Sequence, residues 1–172
     1  MHDVLPDILQ EDLLVVFCGT AASTVSAREG AYYANASNAF WRTLYQTGMT
    51  PRRYAPGEFL RLLELRIGLT DVAKGVAGSD SSLRQSDFGP DCLSQKIRRF
   101  QPQIVAFTSK AAWRAWRRLS AADAVSYGRQ LESLGPTEFV VLPSPSGAAR
   151  GYWDLSYWQA LADDYRRRMR LL

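Results

Sequence analysis

Histidine and cysteine are scarce in this chain: His2 is the only histidine, and Cys18 and Cys92 are the only cysteines. Zinc sites and four-cysteine iron–sulfur clusters therefore lack a ligand set, and any catalysis has to proceed without an imidazole; no metal and no cofactor is expected. No apolar stretch reaches the roughly 20 residues that a bilayer-spanning helix needs. The start, Met1-His2-Asp3, lacks the basic-then-apolar layout of a secretory signal. A cytoplasmic protein that meets no membrane is the expectation. The absence of a phosphate-loop lysine motif and of any Gly-x-Gly-x-x-Gly run argues against a common nucleotide-binding enzyme.

What is present fits one folded unit. The 172 residues, 47% of them hydrophobic, suffice for one sizeable core and are too few for two, so residues 1–172 read as a single domain that needs no partner copy, a monomer. Lys and Arg number 21 against 17 Asp and Glu, and the resulting charge of +4 favours a polyanionic partner. Arg166-Arg167-Arg168 and Arg170 supply much of the excess; they either serve that partner or solvate the outer face of the last helix and complement its dipole.

Four apolar segments read as buried strands: Leu13–Gly19, Ile67–Val72, Ile104–Thr108 and Phe139–Leu142. Helical spacing between and after them covers Asn38–Thr47, Pro56–Leu65, Pro90–Phe100, Lys110–Leu119 and Asp154–Leu171. This alternation predicts an α/β fold, a three-layer α/β/α sandwich around a central, mainly parallel four-stranded sheet. Cys18 reads as a core residue, as do Trp113 and Trp116. Lys74–Asp87, containing Gly-Val-Ala-Gly-Ser-Asp-Ser-Ser, reads as a mobile surface loop.

Two strands end abruptly in small residues: Leu13–Gly19 runs into Thr20-Ala21-Ala22-Ser23, and Phe139–Leu142 runs into Pro-Ser-Pro-Ser-Gly-Ala-Ala-Arg, residues 143–150. Open α/β sheets place their ligands at this carboxyl edge. Taken with Ala34-Asn35-Ala36-Ser37-Asn38-Ala39-Phe40-Trp41 and Tyr45-Gln46-Thr47-Gly48, these stretches resemble, from about Leu13 to Leu171, the mismatch-specific uracil-DNA glycosylase and thymine-DNA glycosylase family, family 2 of the uracil-DNA glycosylase superfamily. The resemblance implies an enzyme of base excision repair that flips uracil from single- or double-stranded DNA and hydrolyses its N-glycosidic bond. It also implies roles for particular residues. Gly19 and Thr20 belong to the first motif, Tyr33 stands where the family stacks an aromatic ring on the flipped base, and Ser146, Gly147, Ala148, Ala149 and Arg150 occupy its intercalating loop. An off-by-one reading puts Tyr32 in place of Tyr33. Asn38 either touches substrate or caps the following helix. Lys110, after the third strand, suits a phosphate contact.

The chain departs from the family in two places. Ala21 replaces the asparagine that positions the attacking water, and a methyl group cannot orient water. Ser144 stands where relatives carry asparagine or histidine and offers one hydroxyl hydrogen in place of an imidazole. Leaving-group stabilisation then falls to backbone N–H groups near Thr20 and Tyr33. Asp71, at the end of the second strand, is the candidate to take over the lost function, by holding water or by stabilising an oxocarbenium-like sugar as carboxylates do in glycoside hydrolysis; the other reading makes it a turn or helix cap. Ser23 is the lesser candidate for water. With no Schiff-base lysine near the motifs, the expected activity is that of a monofunctional glycosylase. The alternative is a catalytically impaired protein that binds uracil or abasic sites.

Overall fold

The computed structural model describes residues 2–172. A five-stranded sheet in the order β2-β1-β3-β5-β4 forms the middle layer. Strands β1 (Val15–Gly19), β2 (Ile67–Asp71), β3 (Ile104–Phe107) and β5 (Thr137–Val141) run parallel, and β4 (Gly128–Leu134) pairs antiparallel with β5 at the edge.

The four parallel strands are the four apolar segments, within one or two residues. The expected count of four is corrected by β4. Its alternating Gly-Arg-Gln-Leu-Glu-Ser-Leu lacks an apolar run because one side of an edge strand faces solvent: every second residue is exposed, Leu131 fully so.

Alternation along the strands divides the core into two faces. Val15 and Phe17 point to one, where Phe40, Trp41 and Leu44 of α2 (Phe40–Gln46) meet Trp158, Leu161 and Tyr165 of α5 (Leu155–Arg170). Val16 and Cys18 point to the other, against Leu93 and Ile97 of α3 (Pro90–Phe100) and Ala112 and Trp113 of α4 (Lys110–Arg117). Each fully buried side chain of this size contributes roughly 1.5–3 kcal/mol. Trp116 joins Phe107 and Phe139 in the second face, as core.

Local signals set the helix ends. Ser109 caps α4 by accepting from the Ala112 N–H at 3.0 Å, and Asp154 caps α5 through the Ser156 N–H at 2.9 Å. Pro56–Leu65 forms a 3₁₀ helix, not an α-helix. A short α1 (Thr24–Glu29), unanticipated because it carries no apolar stripe, follows β1. The basic end of α5 is largely self-neutralised: Arg166 pairs with Asp163, Arg167 with Asp164, and Arg168 with Asp164 and Glu138. No helix among the described residues is long and apolar enough to cross a membrane.

The segment 74–87, expected as a mobile surface loop, is tied to the first motif. The Gly78 N–H donates to the Ala22 carbonyl at 2.9 Å, just as the Ala73 N–H, one residue ahead of the segment, donates to the Thr20 carbonyl at 2.7 Å. It folds into two short 3₁₀ turns, Asp80–Ser82 and Gln85–Asp87.

Candidate active site

All four parallel strands deliver their carboxyl ends to one side of the sheet, and a cavity of about 520 Å³ opens there. Gly19 through Thr24, Tyr33, Asn38, Ser79, Asp80, Thr108, Ser109 and the loop 144–149 all line it. No lysine, arginine or histidine is among the lining residues, while Asp71 and Asp80 are. A phosphate or carboxylate group has no counter-charge inside; a neutral ring does not need one.

Asp71 lies at the base of this cavity. Parallel pairing sets it opposite Gly19, and it is 5% exposed. A Cβ added to Gly19 would lie 2.6 Å from Asp71 Oδ1, 3.5 Å from the Tyr33 phenol oxygen and 3.6 Å from Thr108 Oγ1. Glycine is therefore what lets polar groups from two strand ends, Asp71 and Thr108, and from the α1–α2 loop, Tyr33, converge. Burial raises the Asp71 carboxyl from an ordinary 3.8 to about 7, with Lys74 pulling it down, Asp7 pushing it up, and the Gly19 N–H and Lys96 adding smaller downward pulls. The Lys74 ammonium itself is held at 3.2 Å from Asp7 and donates to the Tyr32 phenol at 2.9 Å. A carboxyl balanced between its two protonation states near neutral pH is a common feature of catalytic sites.

Tyr33 has a φ of 52°, in the left-handed region that a bulky residue enters at a cost of about 1–3 kcal/mol. Neighbours hold it there. The Trp41 indole donates to the Tyr32 carbonyl at 3.0 Å, and the Ala34 N–H donates to Ser26 Oγ at 3.1 Å. The ring stacks on Phe40 with centroids 3.9 Å apart, and its hydroxyl meets Thr108 Oγ1 at 3.2 Å. Phe40 in turn rests edge-on against Phe17 and Trp41. The Tyr32 phenol goes elsewhere, donating to the Pro6 carbonyl at 2.8 Å. Both tyrosines line the cavity, and Tyr33 is the one whose hydroxyl lies beside Gly19.

In the first motif Ala21 presents only its methyl group. The Thr20 hydroxyl donates to Asp80 Oδ1 at 2.5 Å, fastening the loop over the cavity. Ser23 is occupied as the cap of α1: its oxygen accepts from the Ser26 N–H at 3.0 Å and its hydroxyl donates to Ser26 Oγ. Neither the Thr20 nor the Tyr33 N–H meets a protein acceptor among the described residues.

Asn38 stands just ahead of α2, on the cavity wall. Its Oδ1 accepts from the Phe40 N–H at 2.9 Å. Ser144 Oγ accepts from the Ser146 N–H at 3.2 Å, which leaves its proton free to donate. A Cβ on Gly147 would sit 2.6 Å from Ser37 Oγ, so only glycine permits this loop to pack on segment 34–39; the Ala39 N–H to the Pro145 carbonyl at 2.8 Å completes that join. Ala148 and Arg150 are exposed on the 3₁₀ turn Gly147–Tyr152. Lys110 does not line the cavity; its ammonium lies 4.3 Å over the Tyr127 ring.

The family model for the uracil DNA glycosylase superfamily matches residues 6–163. The chain belongs to that superfamily. A solved structure from Methanosarcina acetivorans, a candidate uracil DNA glycosylase, superposes with a TM-score of 0.69 at 25% identity, over 94% of this chain and 96% of that one. A superfamily of DNA glycosylases fits the position and lining of the cavity.

Sequence reasoning missed several lining residues, Thr108, Ser109, Ser79 and Asp80 among them. Thr108 and Ser109 follow β3 at the same carboxyl edge, a position that would have singled them out. Ser79 and Asp80 lie in the segment read as a mobile surface loop, and no local pattern announces that it folds back.

Proposed function

We propose that this chain is a monofunctional uracil-DNA glycosylase of the family-2 type with an altered water-holding motif, cleaving uracil from single- or double-stranded DNA to leave an abasic site. The observation that carries the reading is the buried Asp71 carboxyl beneath Gly19 and beside Tyr33, in a cavity with no cationic lining. A base inside a duplex is out of reach of such a cavity and has to be unstacked, at a cost of a few kcal/mol. Stacking on a tyrosine face returns roughly 1–3 kcal/mol of that. Phe40 braces the opposite face of Tyr33, so the ring is held before the base arrives. Ser146, Gly147, Ala148, Ala149, Arg150 and Lys110 take the flanking DNA.

In this mechanism the C1′–N1 bond breaks with its electron pair passing to uracil, and the sugar gains oxocarbenium character. The acceptor-free N–H groups of Thr20 and Tyr33, together with the Ser144 hydroxyl, stabilise the uracil anion. Ionised Asp71 stabilises the sugar cation and takes the proton from the water whose oxygen adds to C1′. The lack of a lysine in the lining supports water over an amine as nucleophile.

Ala21, with nothing to orient water, favours the second reading: a protein that binds uracil or abasic DNA without cutting. Incubation of excess protein with a labelled uracil-containing oligonucleotide, followed by alkaline strand cleavage, separates the two. Cleavage at the uracil position supports the glycosylase; binding with no cleavage supports the second reading, and neither binding nor cleavage overturns both.

A further inference from the structure

Tyr152 is 76% exposed, an unusual position for a tyrosine, and it ends the same 3₁₀ turn whose first residues, Gly147 to Ala149, line the cavity. It is not isolated. Burial raises the phenol of Tyr127 above its ordinary range, with the phenols of Tyr152 and Tyr157 adding to the effect and Arg114 opposing it. The rings of Tyr127 and Tyr157 lie 5.4 Å apart, and the Lys110 ammonium covers Tyr127 at 4.3 Å. Tyr127, Tyr157 and Lys110 thus pack together beside the cavity rim, where Ser109 joins Lys110 to the lining, and Tyr152 stands between the lining residues of its turn and the helix α5 that carries Tyr157.

These cations are not neutralised by carboxylates. Among the described residues neither Lys110 nor Arg150 forms an ion pair, and Arg114 reaches only the Asp123 carbonyl, at 3.1 Å. An exposed aromatic face beside positive charge that no carboxylate neutralises is what a single nucleic-acid strand requires: every base offers a face for stacking and every nucleotide a phosphate. A duplex offers phosphates but keeps its bases stacked on one another. The small Ala148 points the same way, since an alanine wedge does little to hold a duplex open.

We infer that Tyr152, with Tyr127, Lys110 and Arg150, forms a platform that binds the unpaired DNA flanking the flipped nucleotide, making single-stranded DNA the preferred substrate class; this rests on the glycosylase reading of the cavity. Tyr152 stacks on a neighbouring base, while Lys110 and Arg150 hold the adjoining phosphates.

Fluorescence anisotropy with a short labelled oligothymidylate, free of uracil, tests the platform without requiring catalysis. The parent protein binds the single strand more tightly than the matching duplex. Tyr152→Ala weakens single-strand binding on the order of tenfold and leaves duplex binding unchanged, and Tyr152→Phe keeps parental affinity. Lys110→Gln lowers the salt slope by about 0.7, the contribution of one phosphate contact on a single strand. Equal single-strand affinities for the parent and Tyr152→Ala, equal losses on both DNA forms, or no single-strand binding by the parent would overturn the inference. Uracil release is scored separately: a Tyr152-dependent single-strand affinity in a protein that releases no base keeps the platform and removes the glycosylase reading, whereas release with no Tyr152 dependence does the reverse.

Discussion

Replacing Asp71 with asparagine keeps the shape of a buried side chain and removes its ability to ionise, so the variant reports on the strain of holding a charge at the cavity floor. In the unfolded chain the carboxyl titrates near 3.8; in the folded protein burial moves it to about 7. Between those values the folded state holds a proton that the unfolded state has released, so stability falls as pH rises from about 4 to about 7 and then levels off. The gap is worth ~4 kcal/mol at pH 8, an upper figure because surrounding groups relax. For a domain of this size each kcal/mol moves the melting temperature by roughly 2–4 °C, so Asp71→Asn is expected to melt on the order of 10 °C above the parent at pH 8. Near pH 4 the two proteins should melt together, because the parent carboxyl is then already neutral in the fold. Asp7, whose carboxylate is held below its usual range by its lysines, is common to both proteins and drops out of the comparison. Thermal melts followed by circular dichroism at pH 4, 6 and 8 make the measurement. A difference in melting temperature that is the same at all three pH values, or a parent more stable than the variant at pH 8, would refute the argument.

Gly19→Ala drives a methyl group to within 2.6 Å of Asp71 Oδ1; it should cost about 1–3 kcal/mol of stability and reduce base release, both measurable on purified protein by melts and single-turnover assays. Tyr33→Phe keeps the stacking face and loses only the contact to Thr108, so substrate affinity should be near parental, whereas Tyr33→Ala should lose roughly 1–3 kcal/mol of binding in an anisotropy titration. Because the ionised form of Asp71 does the chemistry, the single-turnover rate should rise with pH to a plateau above about 7, and Asp71→Asn should lack that rising limb.

The parallel strands β1, β2 and β3 were legible because each is buried on both faces, and an apolar run such as Leu14-Val15-Val16-Phe17 has no other home in a chain without a membrane-length segment. The antiparallel edge was not, since β4 only half-buries alternate residues and its pairing with β5 shifts register between Arg129 and Ser133. At the site, Asp71 could be singled out as the charged residue closing an apolar strand, and Gly19 as the small residue ending another. Their pairing depends on which strands are neighbours, a tertiary fact. Thr20 could be named but not its bond to Asp80, which lies 60 residues away across a loop with no periodic signal. Ser23 illustrates the converse: as a residue it suited water contact, but the start of α1 claims both its donor and its acceptor.

The claim that a carboxylate from the second strand replaces the missing carboxamide at Ala21 is tested most directly by single-turnover release of uracil from a labelled oligonucleotide, comparing the parent with Asp71→Asn and Asp71→Ala proteins of confirmed fold at pH 8. The account predicts a fall of on the order of a hundredfold or more in both variants, in the range of losing one group that stabilises charge in the transition state. Near-parental rates in both would remove Asp71 from the mechanism.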